Sequence, residues 1–330
     1  MPHNQFIPDT EEIKSAARII REGGLVAFPT ETVYGLGANA LDAEAVARIY
    51  AVKRRPASSP LIVHIASIKM AKQLVDTWPQ TADLLAMKFW PGPLTLVLRI
   101  KEKPPSIIPT IPSIVTAGLK TVGLRMPNHP VALALIEAST VPLAAPSANR
   151  FTELSPTTAE HVRNSLGNEV DCILDGGPCK VGIESTVLSL VDAIPVLLRP
   201  GAVSRRELEA LIGPISSAQE MNAGPHPAPG MHPKHYSPRT KLLLVENGQV
   251  PVTGTGIYLQ HTHPPKLANI GANITIIQMP QSAADYAASL YEALHQADDA
   301  KADWIAVDQP PDATEWEAVQ DRLKRAAVKD

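Results

Sequence analysis

Ala27-Phe28-Pro29-Thr30-Glu31-Thr32-Val33-Tyr34-Gly35, entered through Leu25-Val26, reads as a strand that breaks into a polar loop. The apolar run 25–28 has the length and composition of a buried strand. Pro29 ends it, hydroxyl and carboxylate side chains follow, and the chain passes Gly35 and Gly37 toward a helix beginning near Asp42. In α/β folds, polar groups at a strand's exit are where small molecules bind. A second loop, Lys53-Arg54-Arg55-Pro56-Ala57-Ser58-Ser59-Pro60, puts three fixed positive charges and two hydroxyls just before another apolar strand, 61–65. Cations so placed commonly meet phosphate or carboxylate. On position alone, Lys53 and Arg55 are equally a solvated charge run closing the helix after Asp42, because Lys and Arg are favoured at helix C-termini.

Short strand-like segments recur at 95–100, 121–125, 142–145, 172–174, 186–191 and 196–198, separated by helical or turn-rich stretches. A helical repeat of Ile13, Ala16, Ala17 and Ile20 precedes them and stops at Gly23-Gly24. Capping-box patterns at Thr157-Thr158-Ala159-Glu160 and Ser204-Arg205-Arg206-Glu207 mark two further helix starts. The fold class is therefore α/β, a twisted mixed sheet with helices against it. A first domain is expected over residues 1–212. Residues 213–238 carry six prolines and no apolar periodicity, so they read as a linker or lid. Strand-like 241–245, 256–259, 274–278 and 304–307 then alternate with helices near 282–296 and 314–327, giving a small Rossmann-like α/β domain over 239–330 with a parallel sheet.

A chain of 330 residues with 45% apolar composition buries ample core for two domains, and a net charge of −3 argues against a generally basic nucleic-acid coat. Any RNA contact must be local. Cys172 and Cys179 cannot make a disulfide scaffold and match no zinc spacing; His226, His232 and His235 cluster in the linker without a metal-ligand pattern. No metal site is expected. The first dozen residues are acidic and no stretch approaches the ~20 apolar residues of a span, so a cytoplasmic enzyme without a membrane segment is the expectation. Proline, at 32 of 330 residues, is about twice its usual ~5%, which makes many loops pre-shaped. No P-loop or Gly-x-Gly-x-x-Gly fingerprint occurs.

Three more places could carry chemistry. Pro146-Ser147-Ala148-Asn149-Arg150 follows an apolar run and is either an ordinary turn or a set of donors at a strand exit. Arg199 ends an apolar strand before Pro200-Gly201, and Arg125 ends 121–124; each is a rim charge unless it faces an anion. His64 lies inside an apolar strand, where a satisfied core histidine is the commoner outcome.

PTETVYGLG (29–37), KRR with PL following (53–61), SAN (147–149), ESTV (184–187) and LRPG (198–201) together resemble the YrdC-like family, and the whole chain resembles its long, two-domain threonylcarbamoyl-AMP synthases. The linker sequence PGMHPKHYSP (229–238) is similar to that of the long form, with Lys234 where relatives often carry Arg and with Pro233 interrupting the pattern. The resemblance implies that L-threonine, bicarbonate and ATP give threonylcarbamoyl-adenylate and pyrophosphate, with Mg²⁺, ahead of a tRNA threonylcarbamoyl-transferase complex. It implies catalytic Lys53 and Arg55. It implies ATP contacts at Arg55, Ser59, Thr121, Ser147, Asn149, Ser155, Arg199, His235 and Tyr236, and threonine contacts at Thr32, His64, Arg125, Ala145 and Ser185. YrdC-like folds are also associated with RNA binding, which leaves a tRNA- or double-stranded-RNA-binding module as the alternative, and a weak tRNA contact is possible for the enzyme as well. Carbamoyl transfer in hydrogenase maturation is a third reading; two cysteines cannot supply that family's zinc fingers.

Overall fold

A computed structural model describes residues 9–101, 110–217, 235–266 and 273–327. Ten strands form one sheet: β1 (Val26–Phe28), β2 (Gly35–Asn39), β3 (Ile62–His64), β4 (Leu94–Arg99), β5 (Thr121–Arg125), β6 (Leu143–Ala144), β7 (Cys172–Ile173), β8 (Thr186–Ser189), β9 (Val196–Arg199) and β10 (Ser216–Ser217). Their order is β10-β9-β8-β4-β5-β3-β6-β2-β1-β7, with parallel and antiparallel neighbours mixed, as expected for the fold class. A second sheet, β11 (Leu242–Val245), β12 (Thr255–Gln260), β13 (Asn273–Gln278) and β14 (Trp304–Asp308), is wholly parallel in the order β11-β14-β12-β13.

The large sheet is covered on both faces, and strand alternation decides which side chain goes where. Leu25 and Ala27 enter one core with Val63, Leu96, Leu124 and helix Ala43–Lys53; Val26 and Phe28 enter another with Leu143 and helices Thr10–Arg21 and Pro130–Ser139. Helix Thr10–Arg21 starts on an Asp9–Glu12 capping box and buries the expected Ile13, Ala16, Ala17 and Ile20. Asp42 caps the next helix, and Arg54, in the left-handed region at φ 52°, ends it.

Three local readings differ from the expectation. Ser216–Ser217, inside the expected linker 213–238, form β10 and pair parallel with β9, so the large sheet continues past Ile212. β2 was not anticipated: the sequence predicts a loop through Gly35 and Gly37, but this segment pairs antiparallel with both β1 and β6. The glycine is there because the Phe28 ring lies across the strand. A Cβ on Gly37 would stand 2.7 Å from Phe28 Cε1 and 3.3 Å from the Val26 carbonyl oxygen. At 157–160 the cap sits one residue later than predicted. Thr158, not Thr157, accepts from the His161 amide at 3.2 Å, and Glu160 pairs outward with Arg163, so no capping box forms. The box at Ser204–Glu207 is present. Most of the linker, residues 218–234, lies outside the described residues, including His226, His232, Pro233 and Lys234.

Candidate active site

Alternation along β3 and β5 exposes one face of the sheet to a cleft. Val63, Val122 and Leu124 point into the core, so Ile62, His64 and Arg125 point the other way. The register then sets His64 opposite both Arg125 on β5 and Leu143 on β6. Two residues on, Ala145 lines the same cleft, and Ser185, just before β8, adds a hydroxyl shared with Thr95 at 2.8 Å. The loop after β1 folds over this face. Thr30 Oγ bonds the Val33 carbonyl at 2.7 Å and the Thr32 hydroxyl at 2.8 Å, and the Arg125 guanidinium donates to Thr32 Oγ at 2.8 Å. Burial and the adjacent Arg125 charge lower the pKa of His64 to about 3, so it is a neutral imidazole, and its Nδ1 has no partner in the protein.

Cations crowd the other end of the cleft. Arg55 donates to the Ser59 and Pro60 carbonyls at 3.4 and 3.2 Å and lies 5.7 Å over the Phe151 ring. Arg199 donates to the Ser185 carbonyl through Nε at 3.1 Å and a terminal nitrogen at 2.9 Å. Burial lowers the pKa of both, that of Arg55 to about 10, with Arg199 adding repulsion to Arg55 and Arg322 adding it to Arg199. Buried cations that repel one another are a prepared anion site. Ser147, His235 and Tyr236 complete this part of the lining. His235 packs edge-on to Phe151 at 5.7 Å, and burial, then Arg55 and Lys53, hold its pKa well below the ordinary imidazole value.

Thr32, Arg55, His64, Arg125, Ala145, Ser147, Ser185, Arg199, His235 and Tyr236 therefore share one cleft. Other expected site residues lie off its wall. Lys53 is buried beneath the 147–149 loop, and its Nζ donates to the Ser147 carbonyl at 2.6 Å and to the Asn149 carbonyl. It is not the solvated helix end that position allowed. Asn149 spends its amide on the Arg150 and Glu153 carbonyls, leaving Oδ1 buried without a partner. Ser155 donates to Glu184, which is on the wall, at 2.5 Å. The Ser59 carbonyl also accepts from the Tyr50 hydroxyl. Thr121 is at the opposite end of β5 from Arg125, paired in register with Arg99.

Sequence reasoning passed over three participants. Glu31 forms a buried ion pair with Arg125 at 2.8 Å and accepts from the Asn128 amide at 3.0 Å; its place between two threonines of the quoted loop was the available signal. Glu184 stands in the ESTV motif but received no role. Arg322, on helix Glu317–Ala326, bonds Glu184 at 2.9 Å, and nothing in an ordinary amphipathic helix pattern points to it.

Comparison with known proteins identifies the family. A family model described as telomere recombination, covering the Sua5, YciO and YrdC proteins, matches residues 18–201, and a model of the threonylcarbamoyl-AMP synthase C-terminal domain matches residues 203–328. The threonylcarbamoyl-AMP synthase of Bacillus subtilis is 43% identical over 332 residues, covering 96% of this chain and 93% of that protein. The protein of the same name from Pyrococcus abyssi is 49% identical over 238 residues, 71% of this chain and 68% of that one. The crystal structure of P. abyssi Sua5 complexed with L-threonine superposes with a TM-score of 0.84 at 39% identity, covering 96% of this chain and 94% of that chain. The chain thus belongs to the YrdC-like family of Sua5, YciO and YrdC proteins, in the form that carries the threonylcarbamoyl-AMP synthase C-terminal domain.

Proposed function

We propose that this chain is a nucleotidyltransferase that makes L-threonylcarbamoyladenylate and pyrophosphate from L-threonine, bicarbonate and ATP, the first step of threonylcarbamoyladenosine formation in tRNA. The observation that carries the reading is the juxtaposition in one cleft of a small-ligand wall, Thr32, His64, Arg125, Ala145 and Ser185, with a cationic end, Arg55 and Arg199. The relatives' names and the threonine-bound Sua5 point the same way.

In this reading Arg125, oriented by Glu31, takes the threonine carboxylate with two parallel donors. Neutral His64 and Thr32 meet the β-hydroxyl, and the small Ala145 leaves room for the methyl. The threonine amino nitrogen bonds to the bicarbonate carbon with loss of water, and the resulting carbamate is a weak oxygen nucleophile, so the enzyme's task is to hold two anions in line. Its oxygen bonds to the α-phosphorus while the bond to the β-phosphate's bridging oxygen breaks and pyrophosphate departs. Arg55 and Arg199 supply the charge that makes this approach tolerable. Ser59, Thr121, Ser147, Asn149, Ser155, His235 and Tyr236 are assigned to the nucleotide, and Lys53 acts beneath it by holding the 147–149 loop. Glu184 on the cleft wall and Glu31 behind it are each paired with an arginine, leaving Glu31 Oε1 as a single oxygen without a partner, and among the described residues no group of three or more His, Cys, Asp or Glu side chains converges on a cation site. The residues thus do not fit a resident Mg²⁺; the ion would arrive on the triphosphate as part of the substrate.

The product is a reactive mixed anhydride, which a downstream tRNA threonylcarbamoyl-transferase complex would consume in the cytoplasm. Direct tRNA contact would be weak and local, given the net charge of −3. Among the described residues no helix is long and apolar enough to cross a membrane. Pyrophosphate release should require threonine and bicarbonate together, with discrimination against serine of about 1–3 kcal/mol for one methyl. Equal release with serine, or without bicarbonate, rejects the reading.

A further inference from the structure

One wall of the cleft is held from the far end of the chain. Arg322 is only 1% exposed, and its guanidinium meets three separate cleft segments. Nε donates to Glu184 Oε2 at 2.9 Å and a terminal nitrogen to the Glu184 carbonyl at 3.3 Å. The other terminal nitrogen donates to the Pro200 carbonyl at 2.7 Å, and the group lies 5.5 Å over the ring of Tyr236. Glu184 is saturated in turn, accepting from Ser155 Oγ at 2.5 Å and from the Tyr291 hydroxyl at 3.1 Å. A carboxylate with its lone pairs so occupied is no base, and its importance is geometric. The Ser185 carbonyl, one peptide along, takes two donors from Arg199, so the backbone that Arg322 pins at 184 and at 200 is the backbone that aims Arg199. The loop has no slack on its other side. Gly182, at φ 75°, lies so close to helix Ala283–Asp299 that a Cβ there would stand 2.5 Å from the Ala288 carbonyl oxygen.

We infer that Arg322 is a positioning residue for the reaction, fixing from the C-terminal helix the placement of Arg199 and Tyr236 toward the triphosphate, so that the second sheet's domain is a working wall of the nucleotide site. This rests on the synthase reading above. Binding energy for ATP then depends on a side chain about 120 residues beyond Arg199, whereas Thr32, His64, Arg125 and Ala145 of the threonine wall have no bond to Arg322, and only Ser185 adjoins the backbone that it pins. The two substrates should respond differently.

The test uses the full chain. KM for ATP and for threonine, kcat, and thermal unfolding are measured for wild type, Arg322→Lys, Arg322→Ala and the control Lys324→Ala, an exposed position on the same helix. Arg322→Ala is expected to raise the KM for ATP by about tenfold or more while that for threonine moves less than about threefold. Arg322→Lys should recover only part, because an ammonium cannot reproduce the fork, and millimolar guanidinium should restore activity to Arg322→Ala but leave Lys324→Ala unaffected. Because removing one partner strands a buried charge, Glu184→Gln with Arg322→Met is made in parallel as a foldable pair; it should show the same ATP-selective defect. An unchanged ATP KM in any folded Arg322 variant, equal losses for both substrates, or loss of activity that follows only unfolding overturns the inference. A wild-type chain that releases no pyrophosphate with threonine and bicarbonate overturns the synthase reading instead.

Discussion

Lys53 and Arg55 sit two residues apart and divide the work. Arg55 lines the cleft, so Arg55→Ala should weaken ATP by at least tenfold, the loss of a charge-assisted contact of about 1.5–3 kcal/mol, with a smaller loss of melting temperature than at Lys53, because its carbonyl bonds are long, 3.4 and 3.2 Å, and the Ser59 carbonyl keeps the Tyr50 hydroxyl as a donor. Lys53 lies off the cleft wall and ties the Ser147 and Asn149 carbonyls together beneath the cationic end of the cleft. Lys53→Met should therefore lower stability, by about 1–3 kcal/mol for carbonyls left buried without donors, and weaken ATP as well. Calorimetry beside ATP titration distinguishes the two; equal stability of both variants would refute the division. Arg125→Lys should raise the threonine KM more than the ATP KM, since a point charge cannot serve Thr32, Glu31 and a substrate carboxylate at once. Equal effects on both substrates would remove Arg125 from the threonine wall. The Arg125 position was legible as a charge at a strand end. Its pairing with Glu31 was not, because the partner is fixed by how the loop after β1 folds back.

At the scale of elements, β1 and β2 form a pair in which one aromatic ring replaces a side chain on the neighbouring strand. Glycine is depleted in strands on average, so a sequence reading treats Gly35-Leu36-Gly37 as a loop; the ring of Phe28, buried between strand and helices, is what makes glycine the fitting residue. Gly37→Ala should destabilise the protein by about 1–3 kcal/mol through overpacking, and Phe28→Leu in the same chain should recover part of that loss, although Phe28→Leu alone destabilises. Additive losses in denaturant unfolding of the three variants would reject the direct contact. Where local signals were sufficient, as in the Asp42 cap or the Ser204 box, the elements begin where the side chains dictate. At Thr157-Thr158 two adjacent residues could each cap, and the packing of His161 against the second domain accompanies the choice.

Over the whole molecule, His161 and His295 stack at 3.7 Å between helices Ala159–Leu166 and Ala283–Asp299, one against each sheet's side of the interface. Burial lowers the pKa of both, and that of His295 to about 4, with the neighbouring His161 adding to the effect and Glu292 and Asp299 opposing it. Between pH 6.5 and 4 the unfolded chain thus binds a proton at His295 that the folded chain refuses, so stability falls as pH drops through this window, by up to about 1.4 kcal/mol per pH unit, and the lowered pKa of His161 acts in the same direction. His295→Gln, which keeps a donor for the Ser155 carbonyl, should flatten the fall in melting temperature between pH 7 and 5. An unchanged slope would show that the stacked pair is not its source. The same interface separates what was readable in the chain from what was not. Apolar runs of four to six residues, proline and glycine punctuation and helix caps are local properties, so the sequence alone determined the α/β class, most strand positions and the loops that carry polar residues. Strand order, the face each side chain takes, and contacts spanning a hundred residues or more depend on packing free energy summed over the folded whole. Only tertiary structure could bring Arg322 to Glu184, turn Lys53 away from the cleft and draw Arg125 onto Glu31.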